Sequence, residues 1–189
     1  MWETLTDLLW VNLNPTSEVL PLIQWHQAYL LIKLQHPEGL ACPPQLLERS
    51  LAAHNAGLAR RSPPTHLERV LAEAVRQLAP GQRIKVEYVV PDPDGQGGLR
   101  VDVGLPGLKL AVEADGPQHF FRNVEPPQQD GSTKARDRLL RGWGWHVVVV
   151  PAFAWDRLLA QGDSREVGVA GLRQYLVEHT DFMQYTRPT

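Results

Sequence analysis

Asp102, Glu113, Asp115 and His119 are the residues whose types and spacing first suggest chemistry. Asp102 interrupts the apolar run Val101-Asp102-Val103, Glu113 and Asp115 flank Ala114 at the end of a hydrophobic segment, and His119 follows closely. Side chains alternate along an extended strand, so Glu113 and Asp115 share a face. If the Asp102 segment pairs with theirs through the Pro106-Gly107 turn, three carboxylates converge. A hard divalent cation requires such an oxygen cluster, and metal-assisted phosphodiester hydrolysis is the chemistry such clusters serve. Asp102, Glu113 and Asp115 are thus the candidate metal ligands, and with His119 as acid or base they form the candidate catalytic set. A plainer reading stands beside it. The acids can form a buried structural network, Asp115-Gly116-Pro117 is a turn signal in its own right, and His119 can be a hydrogen-bonded turn histidine.

The elements that position these residues follow from periodicity. Arg83 to Val90, Leu99 to Leu105 and Leu108 to Ala114 alternate as strands, the first two separated by the turn-rich stretch Pro91 to Gly98. A helix is expected from about Ser132 to Arg141, stopped by Gly142-Trp143-Gly144. Trp145 to Val150 is a nearly unbroken apolar run, suited to a central strand buried on both faces. Short helices near Ala154–Leu159 and Val167–His179 finish the chain. Strand, helix and strand in succession imply a crossover, hence a mixed α/β sandwich.

Ahead of this lie three amphipathic stretches. Thr16 or Ser17 can cap a helix from about Glu18 to Gln35, ended by His36-Pro37-Glu38-Gly39; a second fits Gln45 to Leu58. Thr65-His66-Leu67-Glu68 is a capping-box pattern that opens the third. The loop Arg61-Ser62-Pro63-Pro64 marks the boundary, giving a helical preface over 1–62 and an α/β domain over 63–189. Trp10, Trp25 and Tyr29 in the preface either pack internally or form a docking face, since such rings are enriched where partners bury surface.

Composition sets limits. The 189 residues are 43% hydrophobic with a formal net charge of -2, so contact with a polyanion must come from a local patch. One cysteine, Cys42, excludes an intrachain disulfide. No apolar run is long enough for a membrane span, and no membrane partner is expected. The opening Met1-Trp2-Glu3-Thr4-Leu5-Thr6-Asp7 is acidic, the wrong composition for a transit peptide or secretory signal.

The string Val112-Glu113-Ala114-Asp115-Gly116-Pro117-Gln118-His119-Phe120 is followed by Asp130-Gly131-Ser132-Thr133-Lys134. Then come Leu139-Leu140-Arg141-Gly142-Trp143-Gly144-Trp145 and Pro151-Ala152-Phe153-Ala154-Trp155-Asp156. As a linked set, over roughly residues 65–180, these resemble the RAP domain of organellar RNA-binding proteins, found in the FAST-kinase-like family and in algal octotricopeptide-repeat proteins. Asp, then Glu-x-Asp on the next strand, also looks like the PD-(D/E)XK nuclease core, related to very-short-patch repair nucleases. The resemblance implies a restriction-endonuclease-like mixed sheet flanked by helices. It implies RNA, ribosomal or messenger, as the partner, with protein partners of a ribonucleoprotein assembly, and a mitochondrial or chloroplast location. The nuclease pattern carries Lys where this chain has Asp115, so the sequence leans away from catalysis.

The expected function is therefore non-catalytic RNA binding, in organellar RNA metabolism or as part of an organellar ribosome, with no cofactor. One alternative is a metal-dependent endoribonuclease using Mg or Mn; another is a structural interaction protein without RNA contact. Lys134, Arg138 and Arg141 recur at i, i+4, i+7 and form one basic stripe. Arg122 lies on the loop leading there, beside Phe120 and Phe121, which are candidates for stacking on bases. Backbone donors near Ser132 and Thr133, at the helix start, suit a phosphate. Trp145, Phe153 and Trp155 are expected to pack internally.

Overall fold

The computed structural model describes residues 19–36, 42–60, 63–122, 124–159 and 165–186. Trp10, the caps at Thr16 or Ser17, the stop at Pro37-Glu38-Gly39 and the boundary residues Arg61-Ser62 lie outside them. The chain divides into two compact units, Met1–Arg61 with Pro91–Leu99, and Ser62–Val90 with Arg100–Thr189.

The first unit holds helices α1 (Val19–Gln35) and α2 (Pro44–Ala59). Trp25 stacks on Tyr29, one helical turn away, with ring centroids 5.6 Å apart. Buried His26, Ser50 and His54 lie in the helices' packed faces: His26 Nδ1 lies 3.3 Å from Ser50 Oγ, and the two imidazole centroids are 4.8 Å apart. The loop residues close on this pair of helices. His54 Nε2 lies 2.7 Å from the Gly98 carbonyl, Asn55 donates to the Gln96 carbonyl at 2.9 Å, and Lys33 pairs with Asp94. Asp92 organises the turn by accepting from the backbone N–H groups of Gln96 and Gly97, the Asx-type use expected of such a residue.

The second unit is a four-stranded mixed sheet flanked by helices. Helix α3 (His66–Leu78) starts with the expected capping box: Thr65 Oγ1 accepts from Glu68 N–H, and Glu68 Oε2 accepts from Thr65 N–H at 2.9 Å. Strands β1 (Lys85–Pro91), β2 (Gly98–Leu105), β3 (Leu110–Asp115) and β4 (His146–Pro151) lie side by side in sequence order. Strand β2 runs antiparallel to β3 with Val103 opposite Val112, and β4 runs parallel to β3 with Val112 opposite Val148. Helix α4 (Gly131–Gly142) makes the crossover that a parallel neighbour requires. Helices α5 (Ala152–Leu159), α6 (Arg165–His179) and α7 (Phe182–Thr186) follow.

Alternation decides what the sheet buries. Val103, Leu105, Leu110 and Val112 join Val148 and Val150 on one face, where α3 contributes Val70, Leu71, Ala74 and Val75, and α6 contributes Leu172 and Leu176. Gly168 lets α6 come close: a Cβ there would lie 3.0 Å from the Trp155 ring. One sequence expectation is corrected. Strand β4 is an edge of this sheet, not its centre. Val148 and Val150 are buried and Val147 and Val149 half-buried, because helices cover the strand; among the described residues no strand lies beside its outer rim. An apolar run reports covered faces, and it cannot report a neighbour in the sheet.

Candidate nucleic-acid interface and acidic centre

Glu113 and Asp115 end β3 on one side of the strand and are each 1% exposed. Burying two carboxylates requires a compensating cation or donors. Helix α4 supplies both. Arg136 reaches Glu113 Oε2 at 3.2 Å, Asp115 Oδ1 at 3.1 Å and its own neighbour Asp137 at 3.3 Å. Gln129 donates to Asp115 Oδ2 at 2.8 Å and lies 3.5 Å from Asp137 Oδ2. A guanidinium suits this place because its planar fork of five donors can serve several carboxylates at once.

The electrostatics follow. Burial pushes the Glu113 carboxyl well above its ordinary range; Arg136 pulls it down, while Asp102, Asp115 and Asp137 push it further up. Glu113 Oε1 is buried without a hydrogen-bond partner among the described residues. Asp137 is also raised, by burial first, against the pull of Arg136 and Arg141. Burial opposes the charge on Arg136, but Glu113, Asp115 and Asp137 outweigh it and hold the guanidinium protonated.

Asp102 belongs to a second grouping. Its Oδ2 accepts from Ala114 N–H at 2.7 Å, beyond the last β2–β3 register pair. Its carboxylate comes within 4.8 Å of those of Glu68 and Glu87, which approach each other as closely. Glu87 is a non-glycine residue at φ +51°, an uncommon left-handed conformation inside a strand, and Arg100 binds it at 2.7 Å. Burial lifts Asp102 to about 6, against the Ala114 amide bond that lowers it, with Glu68 and Glu87 among the charges nearby. The convergence expected of Asp102, Glu113 and Asp115 is therefore divided. Glu113 and Asp115 meet on Arg136, whereas Asp102 meets Glu68 and Glu87. Both groupings are sets of carboxylate oxygens of the kind a hard cation takes, and each already meets a guanidinium, Arg136 in the one and Arg100, on Glu87, in the other.

His119 closes the three-residue turn Pro117–His119, and its Nδ1 lies 3.0 Å from Thr133 Oγ1 on α4. That contact ties the turn to the helix. Asp130 caps α4 by accepting from Thr133 N–H at 2.8 Å. Of the backbone donors near Ser132 and Thr133 that were expected to suit a phosphate, the Thr133 amide is thus already bonded to a carboxylate.

Lys134, Arg138 and Arg141 all point outward from α4, with Arg141 Nη2 4.0 Å from Asp137. Arg122 is exposed as well. The two phenylalanines separate. Phe121 is 50% exposed with Lys134 Nζ 5.9 Å from its ring centroid, whereas Phe120 is half-buried edge-on to Phe153 at 5.8 Å. Phe153, expected inside, is 41% exposed. Sequence reasoning missed Arg136, Gln129, Glu68 and Glu87. Arg136 had a usable signal: it lies three residues after buried Thr133 and four before buried Leu140, on the helix face turned towards β3.

The molecule is thus defined as a mixed α/β domain built around a buried carboxylate–arginine centre, with a basic helix face beside an exposed ring. Residues 112–167 match the model of the RAP domain, the family that the motif string resembles. The match contains the whole Arg136 centre, and Glu68, Glu87 and Asp102 fall outside it. The chain is also 27% identical over 169 residues to a "RAP domain-containing protein, chloroplastic" from Oryza sativa subsp. japonica. That alignment covers 88% of this chain and 25% of the relative, so the chain spans about a quarter of that relative's length. Among the described residues, no helix is long and apolar enough to cross a membrane.

Proposed function

We propose that this chain is a non-catalytic RNA-binding module acting in organellar RNA metabolism or within an organellar ribosome, alongside the protein partners of a ribonucleoprotein assembly. One observation carries the reading: α4 turns Lys134, Arg138 and Arg141 to solvent while its remaining base, Arg136, is spent on the buried carboxylates. A chain of net charge -2 that binds a polyanion must concentrate its positive charge, and this helix face does so beside Phe121, a ring available for stacking. The RAP match supports RNA as the ligand, and the chloroplastic relative supports an organelle. Catalysis is disfavoured because a guanidinium stands between Glu113 and Asp115, where a divalent cation would need both.

Fluorescence anisotropy with short single-stranded RNAs across a salt series tests it. Replacing Lys134, Arg138 and Arg141 by Ala should lower the salt slope by roughly 2, since each single-strand phosphate contact contributes about 0.7. A triple variant that binds like wild type would place the RNA surface elsewhere. The alternative, a Mg- or Mn-dependent endoribonuclease, is tested in the same samples. Metal-dependent cleavage that disappears in Asp102→Ala/Glu113→Ala would replace the binding reading by the enzymatic one.

A further inference from the structure

The segment between β3 and α4 folds back over its own stem. Phe120 pairs antiparallel with Gln129, Phe121 N–H donates to the Gln128 carbonyl at 2.8 Å, and Asp130 N–H donates to the His119 carbonyl at 2.8 Å. This short ladder fixes where the two rings point. Phe120 is extended, and side chains on extended backbone alternate. Phe120 therefore turns towards Phe153, and Phe121 turns to solvent beside Lys134.

A two-stranded ribbon has little stability of its own in water. This one is tied down by the side chain of Gln129, which donates to Asp115 and reaches Asp137. Both carboxylates are buried and gripped by Arg136, so the tie ends on a fixed point of the sheet and helix. Gln129 bridges to Phe120, on the rung next to the one where Phe121 bonds Gln128.

We propose that the buried Asp115–Arg136–Asp137 centre anchors the aromatic loop, and that Gln129 is the positioning residue through which it holds Phe121 for stacking on an unpaired base. The proposal rests on the RNA-binding reading and gives the acidic centre a task in that binding. Gln129 itself touches no RNA; it acts through Phe121.

A double-mutant cycle in the full chain separates this from a merely structural role. Anisotropy with a labelled single-stranded RNA oligonucleotide is measured for wild type, Gln129→Ala, Phe121→Ala and the double variant. Gln129→Ala is expected to weaken binding on the order of tenfold, with the salt slope unchanged because the bases of α4 are untouched. In the Phe121→Ala background it should have no further effect. Hydrogen exchange supplies the second readout: the Phe121 amide should exchange faster in Gln129→Ala, while β3 amides keep their protection. Losses that multiply in the double variant, or wild-type binding by Gln129→Ala, overturn the anchor. A wild-type chain that binds no RNA at any salt overturns the RNA reading, and this inference with it.

Discussion

Arg136 Nη2 lies 3.1 Å from Asp115 Oδ1, joining the middle of α4 to the last residue of β3. The same guanidinium holds Glu113 and Asp137, so one side chain compensates three acids that are each almost fully buried. Losing it leaves the buried Asp115 with only the Gln129 amide, Asp137 with Gln129 and the more distant Arg141, and Glu113 with no cation beside it.

Arg136→Met should therefore be strongly destabilising. Removing one partner of a buried ion network typically costs about 3–5 kcal/mol, and the loss should appear as a lower midpoint in urea at unchanged slope. Arg136→Lys should recover only part of it, because an ammonium lacks the planar fork. An Arg136→Met variant within about 1 kcal/mol of wild type would mean that the acids are satisfied without the guanidinium.

Asp102 makes stability fall as pH rises. Its folded carboxyl titrates near 6 against 3.8 for the ordinary group, so the folded state holds the proton more tightly than the unfolded one. The resulting stabilisation is complete below about pH 4 and is lost as pH climbs through 6; the whole shift is worth on the order of 3 kcal/mol. Asp102→Asn keeps an acceptor for the Ala114 amide and removes the titration. Urea melts from pH 4 to 8 should show the wild type losing stability relative to Asp102→Asn. Parallel profiles would contradict the assignment.

The helical unit should respond in the opposite direction. Burial first, then His54, lowers His26 to about 4, with Asp92 pulling the other way, against 6.5 for the ordinary group. A base with a depressed folded pKa contributes stability that is complete above about 6.5 and is lost as pH falls through 4, again on the order of 3 kcal/mol. His26 Nε2 is buried without a hydrogen-bond partner among the described residues, and Ser50 also donates to the Leu47 carbonyl at 2.9 Å. His26→Leu should therefore be tolerated and should flatten the pH response. Hydrogen exchange of α1 and α2 between pH 7 and 4 reads it; equal acid sensitivity in both proteins would locate the trigger elsewhere.

Much of the fold was legible because local rules and tertiary structure agree. Thr65-His66-Leu67-Glu68 caps α3 as its pattern requires, and the period-2 runs around Val103 and Val112 become paired strands. The edge position of β4 was not legible, since Val148 and Val150 are buried by helices whether or not another strand lies alongside. At the site, the shared face of Glu113 and Asp115 follows from alternation. Their cation does not: Arg136 lies 21 residues from Asp115, and among four bases on α4 the sequence singles out the three that form a solvent stripe. Glu68 was readable only as a cap, and nothing in the β1 pattern announces the left-handed Glu87 that turns its carboxylate towards Asp102.

The chain leaves its helical unit, completes β1, and returns to that unit for residues 91–99 before going on. The unit is therefore encoded in two separate stretches, and no single cut in the gene can lift it out whole. Removing everything before residue 62 would strip Gly98 of His54 and Gln96 of Asn55, leaving a loop shaped for helices that are gone. Residues 91–99 group with the two helices although residues 62–90 separate them in sequence, so insertion, deletion or exchange has to act on both stretches together.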